Sequence, residues 1–192
     1  MKIKILIAFL SIFVINCSKP NSETDTPTPI KSSFPFLNIN KYSNYKAIQL
    51  GSIVGSLKVT IGNYEENGFL ITKTKYDPNG KEISTGYDLW KEEDGYIKSY
   101  NNKSSSDVSR IYKLNPILNE SWQDININGQ IVTHRVVDID SLILVPAGSF
   151  HCKVIKYELS SGVNESYSFW NDEFGKIQED IDFIRIKLDS HN

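Results

Sequence analysis

The chain has 192 residues, 40% of them hydrophobic, and its 21 Lys and Arg against 23 Asp and Glu leave a formal net charge of −2. That length suits one domain with a substantial core. The two signs of charge are interspersed, with no basic stripe and no acidic block, so electrostatics excludes nucleic acid and points to no strongly charged partner.

The chain opens with Lys2 and Lys4, followed by an apolar run over residues 5–15 broken only by Ser11. A membrane-spanning helix needs roughly 20 apolar residues, and this run is too short for one. It reads as an export signal over residues 1–16. The tetrad Val14-Ile15-Asn16-Cys17 resembles the lipobox of bacterial lipoproteins, which implies a lipid on Cys17 and attachment to a membrane. Each buried methylene of such an anchor contributes about 0.8 kcal/mol, so several acyl chains hold a protein durably. Residues 17–33 are rich in Pro, Ser and Thr and poor in apolar side chains, the composition of a disordered tether. No Asp follows Cys17, so the expected location is the cell envelope at the outer membrane, on its periplasmic or its surface side. With Cys17 lipidated, Cys152 is the remaining thiol and no intrachain disulfide is expected.

Residues 34–192 read as a single β domain. A short helix is expected somewhere in residues 36–50. Beyond it, apolar and polar residues alternate with a period of two: Leu57, Val59 and Ile61 mark one strand, and residues 70–76 and 83–89 flank the turn Asp77-Pro78-Asn79-Gly80 as a hairpin. Residues 96–101 and 110–114 follow, separated by a serine-rich loop at 102–107. Residues 131–139, 142–145, 149–159, 165–171 and 182–188 complete the pattern. Roughly ten short strands joined by tight turns predict an all-β antiparallel meander, curled into a half-barrel, a barrel or a sandwich.

In the C-terminal third, Asn115-Pro116 leading to Trp122, Val145-Pro146-Ala147-Gly148-Ser149-Phe150-His151-Cys152, and Phe169-Trp170 followed by Phe174-Gly175-Lys176-Ile177 are similar to marks of exported, largely uncharacterised bacterial domains. Some of these are related to the curved-sheet fold of lipoprotein carriers. The resemblance implies a curved sheet and carries no catalytic residue with it. Gly148 and Gly175 also suit turns, and Phe150 and Cys152 share one strand face.

The chemistry-bearing residues form no recognisable constellation. His134, His151 and His191 lack metal-ligand spacing. Gly51-Ser52-Ile53-Val54-Gly55 is not a nucleophile elbow. The acidic groups 92–94, 172–173 and 179–182 lack the spacing of a calcium loop. Cys152 reads as a small buried hydrophobe. The expectation is therefore a non-enzymatic protein with no cofactor and no metal. The aromatic residues either form the core or line a groove for an acyl chain or other apolar ligand, with Trp122, Tyr157, Tyr167, Phe169 and Trp170 as the candidate ligand-binding set. Two readings stay open: a binding module for a lipid or apolar ligand, and a structural or surface lipoprotein that contacts another envelope protein.

Overall fold

The computed structural model describes residues 31–104, 106–162 and 165–192. The export signal, Cys17 and the tether up to residue 30 lie outside these. The described chain is all β, with no helix among its described residues. Its strands are β1 (Tyr42–Gln49), β2 (Ser52–Glu65), β3 (Gly68–Tyr76), β4 (Glu82–Glu93), β5 (Tyr96–Asn101), β6 (Val108–Lys113), β7 (Ser121–Ile125), β8 (Ile131–Val145), β9 (Gly148–Leu159), β10 (Glu165–Asn171), β11 (Gly175–Ile181) and β12 (Ile184–His191). They form one 12-stranded antiparallel sheet in the order β6-β5-β4-β3-β2-β1-β12-β11-β10-β9-β8-β7, a meander curled into a nearly closed barrel.

Cross-strand register decides what faces inward, because side chains alternate between faces and paired residues share one. The pairs Tyr45↔Leu188, Tyr45↔Leu57, Ile61↔Ile71, Phe69↔Trp90 and Ile97↔Tyr112 run around the inner face. Trp122↔His134, His134↔Tyr157 and Ile155↔Ser168 continue it. Lys46, Lys58, Lys98 and Arg185 occupy the opposite parity and point outward. These charges are the reverse of the apolar band that a membrane-embedded barrel turns to lipid.

The expected helix in residues 36–50 is not formed. Phe36 and Leu37 sit in turns, and β1 begins at Tyr42. The physical reason is the alternation of Tyr45 and Ala47 with Lys46 and Ile48, which suits a strand with one buried face, while positive φ at Asn40 (68°) and Leu50 (49°) ends it on both sides. Residues 131–139 and 142–145, expected as two strands, are one long strand, β8, bent by bulges between Val136 and Asp138 and between Asp138 and Ser141. The Asp77–Gly80 hairpin is present: Asp77 Oδ1 accepts from the N–H groups of Asn79 and Lys81, and Gly80 takes φ 81°.

The eleven connections between the twelve strands alternate between the two ends of the barrel, six at one and five at the other. At the end holding the 66–67, 94–95 and 172–174 turns, residues 34–37 enter the barrel as a plug. Phe34 (1% exposed), Phe36 and Leu37 pack with Tyr112 and Trp170. Ser32, placed in the tether by the sequence reading, donates to Glu92, as does the backbone N–H of Ser33. A second cluster gathers Phe150, Cys152, Ile177, Tyr45 and Leu188 beside the β8–β9 hairpin, whose Ala147 N–H donates to Leu188 O at 3.2 Å.

Candidate functional site

Beyond the plug the barrel interior is not completely filled by side chains. A cavity of about 190 Å³ lies there, toward the 102–107 and 182–183 turns. Its apolar wall comes from Leu57, Val59, Ile111 and Ile186, inward residues of β2, β6 and β12. Lys73 of its polar wall and the partner of Lys73, Asp88, are two inward positions that carry charge instead of an apolar side chain. On β3, Lys73 stands two residues beyond Ile71 on the same face, and on β4, Asp88 stands two residues before Trp90.

Lys73 donates to Asp88 Oδ2. Asp88, 5% exposed, also accepts from Ser99 Oγ and from the Asn102 N–H, both at 3.3 Å. Each of its oxygens therefore has a donor, which is what makes burial of a carboxylate tolerable. From β11, Lys176 Nζ donates to Glu179 Oε2 at 3.1 Å, and Tyr45 Oη donates to Lys176 O at 2.9 Å. Burial pulls the Lys176 ammonium down, but the nearby Glu179, Tyr157 and Tyr45 outweigh it and leave its pKa raised. Burial raises the Tyr45 and Tyr157 hydroxyls, so both stay neutral at physiological pH. Tyr157 Oη and Ser168 Oγ lie 2.6 Å apart, and Trp170 Nε1 donates to the same Ser168 oxygen at 2.8 Å.

Trp90 differs from these. It is 8% exposed and forms part of the cavity wall, and its indole N–H meets no acceptor among the described residues. A smaller void of about 50 Å³ on the plug side shares Tyr45, Val59, Trp90 and Lys176 with the larger one, so the interior narrows at Trp90 and Lys176.

The barrel closes through side chains where β6 meets β7. Arg110 Nε donates to Asp124 Oδ1 at 2.8 Å, the Arg110 backbone N–H donates to Asp124 Oδ2 at 2.9 Å, and Trp122 Nε1 donates to Arg110 O at 3.0 Å. His134, 3% exposed, stacks on Trp122 at 5.2 Å and places Nε2 3.2 Å from Asp124 Oδ2. Burial alone would raise the Asp124 carboxyl, yet the nearby His134 and the bonds from Arg110 hold it below the usual carboxylate range.

The five aromatic residues singled out from the sequence do not converge. Trp122, Tyr157 and Trp170 face inward, in the seam and the core, with Trp170 stacked on Tyr112 at 4.8 Å and 13°. Tyr167 and Phe169 face outward, paired with Lys156 and Val154. Phe169 packs in the second cluster, and Tyr167 donates to Glu165 at 3.0 Å beside an outer cleft of about 530 Å³ beneath Leu50 and Phe183. None of the five lines the 190 Å³ cavity. The cavity residues Lys73, Trp90, Ser99, Lys176 and Glu179, with Asp88 as the partner of Lys73, went unnoticed as a group in the sequence, although Lys73 and Asp88 at inward parity beside Ile71 and Trp90 were a usable signal. Cys152 is 1% exposed, and burial pushes its thiol up to about 12. Among the described residues no three His, Cys, Asp or Glu side chains gather as metal ligands.

No protein-family model and no curated protein matches the chain. Two solved structures share its architecture. A Bacteroides fragilis protein assigned to export, with a YmcC-like fold, superposes with a TM-score of 0.61 at 15% identity, covering 84% of this chain and all of that one. A Parabacteroides distasonis protein assigned as a lipoprotein superposes with a TM-score of 0.50 at 12% identity, covering 85% and 100%. At such identities the shared property is the fold, the meander barrel.

Proposed function

We propose that this chain is a lipoprotein of the bacterial envelope, anchored through Cys17 at the outer membrane, whose barrel binds a small ligand with both apolar and polar parts. The observation that carries the reading is the incompletely filled interior: a barrel plugged at one end that keeps a cavity of about 190 Å³ walled by aliphatic side chains and by Lys73, Lys176 and Glu179. A domain that needed only stability would have filled this space with side chains, since unfilled volume forfeits packing energy. The lipobox-like tetrad supports the anchor, as does the description of one structural neighbour as a lipoprotein, while the other is described as exported. The role proposed is binding and not catalysis, without cofactor or metal. The acyl-chain reading suggested by the likeness to lipoprotein carriers remains within this proposal, for an alkyl segment against Leu57, Val59 and Ile186.

The full chain purified from bacterial membranes, denatured and extracted, tests it by mass spectrometry. A small molecule recovered in stoichiometric amount, and lost on Trp90→Ala, is the expected result. A clean extract would move the function to the outer surface, where Leu50 (88% exposed) and Phe183 (77% exposed) overhang the outer cleft and favour an envelope-protein partner. Replacing Cys17 with Ser should abolish incorporation of an alkyne-tagged fatty acid, and persistence of the label would remove the anchor from the proposal.

A further inference from the structure

Resting on that binding reading, we infer that the cavity takes a small organic anion, one carboxylate carried on a short apolar body, with the carboxylate beside Lys73 and the body against β2 and β12. Three observations converge. The first is the charge that faces inward. Lys73, Lys176 and Glu179 line the cavity, so two ammonium groups stand in its wall against one carboxylate. Lys176 and Glu179 are paired with each other within the wall at 3.1 Å. The partner of Lys73, Asp88, lies behind the wall, and its oxygens are already engaged: Lys73 and Ser99 Oγ donate to Oδ2, and the Asn102 N–H donates to Oδ1. An ammonium carries three N–H donors, of which Asp88 takes one from Lys73. A negative oxygen entering beside Lys73 meets free donors there, while Glu179 stands on β11, four strands away along the sheet.

The second is the separation of polar from apolar wall. Ser99 of β5 is the cross-strand partner of Ser109 on β6, and Asn101 is that of Asp88 on β4, so the Ser99 and Ser109 hydroxyls and the Asn101 amide form one patch with Lys73. Leu57 and Val59 of β2 and Ile186 of β12 line the cavity on the other side. A ligand with one polar end and one apolar end fits this division. A bare alkyl chain would strip water from the polar patch and return no hydrogen bond, and a polyol would lay hydroxyl groups on the aliphatic side, which is costly in either case. A charge-assisted bond from an ammonium to a carboxylate is about twice as strong as a neutral one, which favours the anion over its amide or alcohol.

The third is size. About 190 Å³ exceeds the roughly 150 Å³ that holds a single benzene ring and falls below the roughly 300–1,000 Å³ of pockets for drug-sized ligands. A ring or a short chain bearing one carboxylate matches it.

The test is saturation-transfer NMR on the full chain in detergent micelles, titrated with benzoate and hexanoate, with their neutral counterparts benzamide and hexanamide, and with inorganic phosphate. The carboxylates should bind about tenfold more tightly than the amides and more tightly than phosphate. Lys73→Met should weaken benzoate about tenfold and leave benzamide unchanged, whereas Glu179→Gln, which removes the carboxylate from the wall, should tighten benzoate at least threefold. That gain keeps the test informative should Lys73→Met, with Asp88 left unpaired, fold poorly, because a damaged fold does not bind more tightly. Ile111→Trp, which fills the cavity, should abolish the signal, and a signal that survives it would lie outside the cavity and overturn the assignment. Equal binding of benzoate and benzamide, with no effect of Glu179→Gln, would overturn the anionic class and leave the binding module standing. Phosphate binding as tightly as benzoate would overturn the apolar body. Silence toward every probe would overturn both the anion and the binding reading beneath it.

Discussion

Trp170 carries an unusual share of the packing for one residue. It is 1% exposed, stacks on Tyr112 and lies 5.8 Å from Phe36, so it joins the barrel wall to the plug. Trp170→Ala should lower the unfolding free energy by about 3–5 kcal/mol, the range for truncating a buried aromatic, read from the midpoint of a urea titration at unchanged slope. Gly175 stands against the same plug. It takes φ +81°, and a Cβ there would come within 3.0 Å of Phe36 Cδ2. Gly175→Ala therefore combines a left-handed backbone, worth about 1–2 kcal/mol for an L-residue, with a crowded contact, and a loss at least that large is expected in the same titration. Cys152 gives a chemical prediction. Its buried thiol, pushed up to about 12, should resist iodoacetamide at pH 8 in the native protein. After denaturation a lipidated chain should show one labelled thiol by mass spectrometry, whereas two would mean that Cys17 is free.

At the scale of elements, the seam between β6 and β7 is the part most dependent on charge. Asp124 is held ionised by Arg110 and His134 against the effect of its burial. Asp172 is likewise lowered: burial would raise it, but Lys153 and Tyr112 hold it down. A carboxylate with a depressed folded pKa stabilises the fold fully above the ordinary range near 4, and that contribution is lost as pH falls through the folded value. Stability should hold from neutrality to about pH 5 and then decline toward pH 2, with Asp124→Asn flattening the decline. Hydrogen exchange at β6 and β7 should quicken first on acidification, because their junction rests on side chains and not on a continuous backbone ladder. Strands with clean alternation were legible in the sequence: β3, β4, β9 and β12 stand where period two places them. Strand β1 was missed because residues 36–50 mix the plug's aromatics with a short alternation, and β7 because Trp122 is its only strongly buried side chain.

At the scale of the molecule, the β1–β12 ladder in the middle of the sheet joins the first and last strands of the described chain, with Ser43 opposite His191 and Gln49 opposite Ile184. Contacts so distant in sequence impose a large loop-closure cost before they stabilise anything, so folding should be slow for a domain of this size. Ending the chain at residue 183 would remove β12, leave β1 and β11 as bare edges and yield aggregated protein, whereas loss of residue 192 alone should be tolerated. Composition, alternation and turn chemistry determined by themselves that the domain is an antiparallel meander, because each is a local property of neighbouring residues. The same local signals marked the Asp77–Gly80 hairpin and the burial of Cys152. Which aromatic residues would meet was decided only by the tertiary structure. A bulge or a one-residue change of register moves a side chain to the other face, and the parity of Trp90, Lys73 and Lys176 toward one cavity, with Tyr167 and Phe169 turned away, is set by pairings between strands far apart in the chain.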